Sequence, residues 1–239
     1  MIAPPGEALS LARAAVSEFL LDAAPQRPLL VAFAGLRGDA PVPHYEFVGL
    51  TRSMDVSTCF VRDLRQVWYR SGVRGLGGSL PEVAARLARV ADGAGATRTV
   101  FVGASAGGFA AVVAGVLAGV DEVHAFSPQT DLRPLHRWAA RDFRWSTPLL
   151  RRWWRGHARE PYDDLRAFLG GRRYECRIFL HVGRHDADER AVRRLAGLPG
   201  VRVVTHDVSG HAIARALRAE GTLEKIVTSA LDPRGDHTP

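Results

Sequence analysis

The amino-acid sequence predicts an α/β fold in which a mostly parallel sheet carries helices on both faces. Strand-like and helical segments alternate along most of the 239 residues. Most of the strand-like segments are uninterrupted apolar runs, which is the pattern of strands buried on both faces of a sheet. No internal repeat or linker interrupts the alternation, so we treat residues 1–239 as a single domain.

The individual elements follow from periodicity and from local signals. Apolar residues at helical spacing predict an amphipathic helix at 9–21. Ser79, followed three residues later by Glu82, is the signature of a helix N-terminus. Strands are predicted at 29–33, 54–61, 97–102, 123–126, 177–182 and 201–205, and the remaining helices at 79–91, 106–117, 188–195, 212–219 and 223–229.

Residues 132–160 break this alternation. The segment holds eight arginines, two acidic residues and four of the five tryptophans, and its sequence contains no clear strand. We interpret it as a helical insertion that forms a lid over the domain. Its arginines either bind an acidic partner or simply face water, and the sequence leaves both alternatives open.

Composition narrows the classes of function. The formal net charge is +7, and arginine carries almost all of the positive charge because Lys225 is the only lysine. The chain therefore has no Gly-Lys-Ser/Thr phosphate-binding loop. Cys59 and Cys176 lack the spacing of a metal knuckle or a disulfide scaffold. We expect two buried thiols, no metal and no organic cofactor.

The sequence indicates a cytoplasmic protein. Residues 7–22 are apolar, but Arg13 and Glu18 interrupt them and no basic start precedes them, so they are unlike a secretory signal. The longest run of small apolar residues, 107–120, is too short to span a bilayer. We expect no stable membrane insertion and no nucleic-acid partner, and the sequence does not predict an oligomeric state.

A candidate nucleophile lies between a predicted strand and a predicted helix. The strand at 97–102 runs directly into Gly103-Ala104-Ser105-Ala106-Gly107, and a helix follows. A serine on such a turn adopts a strained backbone and exposes its hydroxyl above the sheet edge, and small residues on either side let strand and helix approach. The alternative is a tight turn without catalysis.

A serine hydroxyl needs a base, and the base needs an orienting acid. Asp186 follows the strand at 177–182, and His211 follows the strand at 201–205, so both lie beyond the carboxyl end of a strand, where open parallel sheets place their sites. Asp188 is the alternative acid, and His206 is an alternative histidine that we interpret as structural.

Stabilisation of an oxyanion requires two backbone N–H groups. Ala106, which follows the serine, is expected to supply one of them. The loop after the strand at 29–33 is expected to supply the other, and Gly35 and Leu36 are the candidates. Each of these two residues is equally compatible with an ordinary turn.

The elbow and the order serine, aspartate, histidine resemble the α/β-hydrolase superfamily over residues 29–219. Further segments resemble a bacterial branch associated with the acyl modification of surface glycans. The resemblance implies an α/β-hydrolase fold that is trimmed at its N-terminal strands. The segments that carry the narrower resemblance are Phe33-Ala34-Gly35-Leu36, Phe60-Val61-Arg62-Asp63, Trp68-Tyr69 and Ala125-Phe126-Ser127-Pro128-Gln129-Thr130.

The sequence thus predicts a serine hydrolase that acts on an ester or thioester through an acyl-enzyme. The first alternative is an acyltransferase or deacetylase that uses the same residues on a glycan or small metabolite. The second is a non-catalytic binding module. Residues of the binding surface are not predicted: Arg62, Asp63, Trp68 and Tyr69 either contact a substrate or form an ion pair and a packed aromatic edge.

Overall fold

A single seven-stranded sheet forms the centre of the chain. The structure is a computed structural model that describes residues 17–36, 45, 47–51, 54–139, 143, 159–184 and 187–232. Within these residues the strand order is β1-β3-β2-β4-β5-β6-β7. The strands are β1 (Phe19–Asp22), β2 (Leu29–Phe33), β3 (Ser57–Val61), β4 (Thr99–Ala104), β5 (Glu122–Phe126), β6 (Arg177–Gly183) and β7 (Val201–His206).

Six of the seven strands are parallel, as the apolar runs predicted. Only β1 runs antiparallel, and it pairs with β3 at the edge of the sheet. The prediction of a helix over 9–21 is wrong for the residues that the structure describes, because Phe19–Asp22 is this edge strand. The residues of the segment before 17 lie outside the described part of the chain.

Helices cover both faces of the sheet. Leu80–Ala94 begins at the predicted Ser79 cap, whose side chain accepts a hydrogen bond from Glu82 N. The helices in chain order are α1 (Leu80–Ala94), α2 (Ala106–Ala118), α3 (Pro134–Ala139), α4 (Leu165–Gly170), α5 (Ala187–Arg193), α6 (Ile213–Ala219) and α7 (Thr222–Leu231).

Two apolar cores lie on opposite faces of the sheet. Helices α1 and α2 pack on one face, where Phe101 and Phe109 belong to the larger core. Helices α6 and α7 pack on the other face, against Val102 and Phe126. Helix α2 is apolar on every side and almost fully buried, which is the pattern of a helix at the centre of a domain.

The predicted buried thiols are confirmed. Cys59 and Cys176 are each no more than 3% exposed and unpaired. Burial raises the pKa of both thiols to about 12. Neither cysteine is therefore a nucleophile near neutral pH, since the thiolate is the reactive form.

The strand order reverses between β2 and β4, the position at which open α/β sheets form a crevice. From β2 the chain passes to β3 on one side of the sheet and then returns to β4 on the other side. In open α/β sheets, ligands bind outside the carboxyl ends of the strands at such a switch point. Phe33 of β2 pairs with Gly103 of β4, so Gly35 and Ser105 each lie two residues beyond a paired position.

Most of the predicted insertion at 132–160 lies outside the described residues. The structure describes 132–139, 143 and 159–160, and Pro134–Ala139 is helical. The interpretation of the insertion as a lid therefore stays a prediction. Within the described part of the chain, no helix is long and apolar enough to cross a membrane.

Candidate active site

Ser105 lies on a sharp turn between β4 and α2. Its backbone adopts φ 54° and ψ −117°, a region that residues with a side chain rarely occupy. The N–H of Ser105 donates to Phe126 O at 2.8 Å, and its carbonyl accepts from Phe109 N at 3.0 Å. These bonds hold the strained turn, with a half-buried Ser105, at the carboxyl edge of the sheet.

The glycines of the motif are required by close backbone contacts. A Cβ atom on Gly103 would lie 2.3 Å from Gly107 O, and a Cβ atom on Gly107 would lie 2.1 Å from Phe33 O. Both distances are far inside van der Waals contact. The glycines therefore allow β2, β4 and the first turn of α2 to meet at the serine.

The structure brings Ser105 and His211 together. Nε2 of His211 lies 2.8 Å from Oγ of Ser105. His211 follows β7 on a loop in which Gly210 adopts φ 87°, so the glycine provides a left-handed turn directly before the histidine. The side chain of His211 is 28% exposed, so that the imidazole is open to the crevice.

The carboxylate that holds this histidine belongs to Asp188. Oδ2 of Asp188 lies 2.6 Å from Nδ1 of His211, and the Asp188 side chain is 3% exposed. Within the described residues this hydrogen bond is made by the alternative acid, and the preference for Asp186 stays a prediction. Asp186 itself lies outside the described residues.

The local structure explains why Asp188 reaches the histidine. Strand β6 ends at Gly183, and helix α5 begins at Ala187, so Asp188 lies in the first helical turn. The N–H of Arg184 donates to Val208 O at 3.1 Å and ties the end of β6 to the loop that carries the histidine. The acid is therefore placed by a helix N-terminus rather than by the strand end.

His206 has a structural place, as the sequence analysis interpreted it. Its Nε2 lies 2.9 Å from Nδ1 of His181, and the two rings stack with centroids 5.2 Å apart. Burial lowers the pKa of His206. Its partner, His181, lies on β6, whereas His211 lies beside Ser105. His206 and His211 therefore have separate surroundings.

The candidate oxyanion donors lie on both sides of the crevice. Ala106 opens α2 directly after Ser105 and is fully buried. Gly35 and Leu36 follow β2, the neighbouring strand of β4. The position of Gly107 against Phe33 O and Ala34 O shows that the β2 loop contacts the first turn of α2. The backbone arrangement can therefore present N–H groups to the Ser105 side of the crevice.

Residues 63–69, which include Trp68 and Tyr69, support the loop that follows β2. Asp63 is 2% exposed and accepts hydrogen bonds from the backbone of Arg65, Val67 and Tyr69. The hydroxyl of Tyr69 donates to Ala34 O at 2.7 Å. Trp68 is fully buried, and its indole N–H donates to Gln129 Oε1. No signal in the sequence indicated the bonds of Tyr69 to Ala34 and of Trp68 to Gln129, because each joins residues far apart in the chain.

Together these groups can perform one kind of chemistry. A histidine lies within hydrogen-bond reach of a strained serine, and a buried carboxylate orients the far side of its ring. This is the arrangement that activates a hydroxyl as a nucleophile. Backbone N–H groups at a helix start can stabilise the negative charge that such an attack produces.

The chain has the α/β-hydrolase fold, which the sheet order and the strand–elbow–helix unit define. No protein-family model matches the sequence. No curated protein matches it either. The comparisons with solved structures therefore carry the relationship, and at their low identity they show the fold alone.

Three solved structures illustrate the similarity. The capsule O-acetyltransferase of Neisseria meningitidis serogroup A has a TM-score of 0.60 and 15% identity, over 87% of this chain and 90% of that one. Brefeldin A esterase, a bacterial homologue of human hormone-sensitive lipase, has a TM-score of 0.61 and 15% identity, over 98% and 80%. MenH from S. aureus has a TM-score of 0.57 and 11% identity, over 90% and 98%.

Proposed function

We propose that this protein is a serine hydrolase that cleaves an ester or thioester through an acyl-enzyme on Ser105. The observation that carries the proposal is the continuous row of hydrogen bonds from Ser105 Oγ to His211 Nε2, 2.8 Å, and from His211 Nδ1 to Asp188 Oδ2, 2.6 Å. The roles proposed for Ser105, His211 and Asp188 rest on this geometry and on the chemistry of acyl transfer.

In the first half of the reaction, Ser105 Oγ attacks the acyl carbonyl carbon while His211 Nε2 takes the hydroxyl proton. The carbonyl oxygen becomes an oxyanion, which the N–H groups of Ala106 and of Gly35 or Leu36 stabilise. The tetrahedral intermediate collapses and breaks the bond to the alcohol or thiol. His211 returns the proton to that leaving group, and the acyl group stays on Ser105.

In the second half, His211 removes a proton from the acceptor, and the acceptor oxygen attacks the acyl-enzyme. The acyl group leaves with the acceptor, and His211 returns the proton to Ser105. Asp188 keeps Nδ1 of His211 protonated and fixes the ring orientation, and it stabilises the imidazolium that forms in both halves. No step requires a metal or an organic cofactor.

A fluorophosphonate probe tests the nucleophile. The probe should label the wild-type protein on Ser105, with the site located by peptide mass spectrometry, and Ser105→Ala should abolish both labelling and turnover of p-nitrophenyl esters. The variant removes one oxygen, so its thermal unfolding midpoint should match that of the wild type. Label on another residue, or wild-type turnover by Ser105→Ala, overturns the assignment.

The second candidate function is transfer of the acyl group to a sugar hydroxyl. Its support is the similarity to a capsule O-acetyltransferase, which covers 87% of this chain, together with the arginine-rich insertion. Both functions share the first half of the reaction and differ in the acceptor. Transfer predicts that added saccharides accelerate deacylation and appear as acylated products, whereas hydrolysis predicts the free acid alone. A chain that no probe labels and that turns over no ester would instead be a binding module.

A further inference from the structure

We infer that Tyr69 is a positioning residue for the oxyanion hole, because its hydroxyl fixes the start of the loop that carries Gly35 and Leu36. The inference rests on the proposed function and deepens it. Tyr69 is fully buried, and its role acts through the backbone of the β2 loop. Three features of the structure support this role of Tyr69.

The first feature is the contact between the hydroxyl and the loop. Tyr69 is fully buried, and its hydroxyl donates to Ala34 O at 2.7 Å. Val61 O lies farther from the same hydroxyl oxygen, at 3.1 Å. The ring packs edge-on against Phe33, with centroids 5.4 Å apart and planes at 82°. The tyrosine therefore contacts the last residue of β2 with its ring and the first residue of the loop with its oxygen.

The second feature is the geometry of the peptide unit that Tyr69 holds. A trans peptide is planar, and its C=O and N–H point to opposite sides. The carbonyl of Ala34 and the N–H of Gly35 belong to the same unit, so a bond to Ala34 O sets the direction of the Gly35 N–H. Only the two backbone dihedrals of Gly35 then separate this fixed unit from the N–H of Leu36. Both candidate donors therefore depend on the orientation of one carbonyl.

The third feature is the way in which Tyr69 is itself held. Its backbone adopts φ 59°, and its N–H donates to Asp63 Oδ2 at 2.9 Å. The same oxygen accepts from Val67 N at 2.6 Å. A buried carboxylate that collects backbone N–H groups makes the loop rigid and offsets the cost of the left-handed conformation. The segment is thus built to hold the tyrosine at a fixed place.

These features assign Tyr69 an effect on the transition state rather than on substrate binding. An oxyanion hole acts on charge that develops only during the attack. Removing the Tyr69 hydroxyl leaves the ring packing intact but frees the carbonyl of Ala34. The donors of the loop then lose alignment, and the loss should fall on kcat and leave KM unchanged.

The test is Tyr69→Phe in the full chain, assayed with p-nitrophenyl acetate. We expect kcat to fall about 10-fold at unchanged KM, less than the roughly 100-fold loss that follows removal of a whole oxyanion donor. A trifluoromethyl ketone, whose carbonyl becomes an oxyanion when a serine adds to it, should bind about 10-fold more weakly. A merely structural role would leave this binding intact in protein that remains folded.

Tyr174→Phe is the matched control. The Tyr174 hydroxyl also donates to a backbone carbonyl, that of Pro199 at 2.5 Å. Tyr174 precedes β6, which is separated from β2 by β4 and β5. The control should keep the wild-type kcat and ketone affinity. Thermal unfolding midpoints of both variants measure any loss of stability separately.

The outcomes separate this inference from the proposed function. If the wild-type protein reacts with neither the ester nor the fluorophosphonate, the proposed function fails and the inference fails with it. If the wild type is active and Tyr69→Phe keeps its kcat and ketone affinity, the inference alone is overturned. Equal losses in both tyrosine variants also overturn it, because the effect would then be one of general stability.

Discussion

At the scale of single residues, we propose that the side chain of Asp188 holds His211 in the form that can act as a base. The carboxylate is buried and 2.6 Å from Nδ1. Asp188→Asn keeps the size of the side chain but no longer holds the imidazole in the tautomer that accepts the serine proton. We expect turnover to fall by about 10⁴, the loss seen when the acid of a serine protease triad is changed in this way. Steady-state kinetics on a p-nitrophenyl ester measure it.

Asp186→Asn is the matched control for this prediction. It makes the same chemical change two residues earlier in the chain. We expect its turnover to stay close to that of the wild type, and both variants should keep the wild-type unfolding midpoint. The reverse ranking of the two variants would return the acid to Asp186 and contradict the arrangement described above.

The choice between Asp186 and Asp188 shows which part of this site could not be predicted from the sequence. The proximity of Ser105 and His211 could be predicted, because a motif and the ends of strands determine their places. The two aspartates follow the same strand, and a two-residue difference there depends on where the next helix starts. The helix was predicted to start at 188 and starts at Ala187, but the direction in which its first turn presents a side chain is not a local signal of the sequence. The role of Tyr69 was out of reach for a related reason, because it depends on a contact with Ala34.

At the scale of elements, the site depends on the close crossing of β2, β4 and α2. Gly107→Ala would place a methyl group 2.1 Å from Phe33 O. Because the obstacle is backbone on a central strand, relief requires a shift of whole elements. We expect a loss of several kcal/mol in the free energy of unfolding, or failure to fold, in line with severe overpacking. Chemical denaturation of the purified variant measures the loss.

Gly93→Ala is the control for this prediction. Gly93 lies in helix α1, and nothing lies within 4 Å of the position that its Cβ would occupy. Alanine there should raise the free energy of unfolding by up to about 1 kcal/mol, because glycine is the weaker helix former. If the two variants were equally stable, the elbow would not be as closely packed as its backbone distances indicate.

A row of buried polar side chains crosses strands β5, β6 and β7. Glu122 accepts from Arg98 and Arg177 at 2.7 and 2.6 Å. Its other oxygen lies 3.0 Å from His124, whose ring lies 3.0 Å from that of His181. The row ends at His206, described above. Neutral imidazoles satisfy every bond when each Nε2–H points toward Glu122, so the row is complete without added charge.

This row predicts a pH dependence of stability. Burial, and then the charges of His124 and His206, hold the pKa of His181 well below its ordinary value of 6.5. Below pH 6.5 the unfolded chain therefore takes up a proton that the folded chain does not. The free energy of unfolding should fall as the pH decreases through this region, by at most about 1.4 kcal/mol per pH unit for one histidine.

The contribution of His181 is measured by the difference between two variants. His181→Phe keeps an aromatic ring in the stack with Phe126 but removes the titrating group, so its slope of stability against pH between 6.5 and 5 should be shallower. His136→Asn changes a histidine whose side chain is 55% exposed and should keep the wild-type slope. Equal slopes for wild type and His181→Phe would contradict the burial argument.

Most strands and helices could be predicted from local sequence patterns, but the edge strand β1 could not. Strands buried on both faces and the capped helix α1 were predicted to within a few residues, because apolar runs and the Ser79 cap are local signals. The edge strand Phe19–Asp22 was misassigned to a helix. It is only four residues long and carries no strand-like run, so its conformation is set by pairing with β3.

At the scale of the whole molecule, charge is concentrated in the insertion at 132–160. The segment holds eight arginines against two acidic residues. We propose that it acts as a lid that favours an anionic or sugar-linked acyl substrate. Replacing Arg151, Arg152 and Arg155 with alanine should raise KM for an anionic substrate and flatten its salt dependence, because surface charges act on encounter and are screened by salt. Initial rates at several salt concentrations measure both effects.

A neutral ester and a second triple variant provide the controls. Turnover of a small neutral ester should be nearly unchanged, since Ser105 and its partners are untouched. Alanine at Arg74, Arg86 and Arg89, which are exposed and lie in or just before α1, removes the same charge elsewhere. If both triple variants affect the anionic substrate equally, net charge alone acts on it and the lid proposal is wrong.

The overall fold was accessible from the sequence because alternating apolar strands and helices determine a parallel sheet with few alternatives. The function of the molecule is less accessible at this scale. The acceptor and the acyl chain depend on the shape of the crevice, and shape follows from side chains that many segments bring together. The fold supports hydrolases and acyltransferases equally, so the site and not the fold has to carry the assignment.

The proposed reaction requires that Ser105 carries the acyl group covalently. The most direct measurement mixes the protein with p-nitrophenyl acetate, stops the reaction with acid within the first turnovers, and determines the modified peptide by mass spectrometry. We expect one acetyl group on Ser105, a matching burst of p-nitrophenol, and neither signal in Ser105→Ala. Turnover without a burst and without an acetylated Ser105 peptide would contradict it.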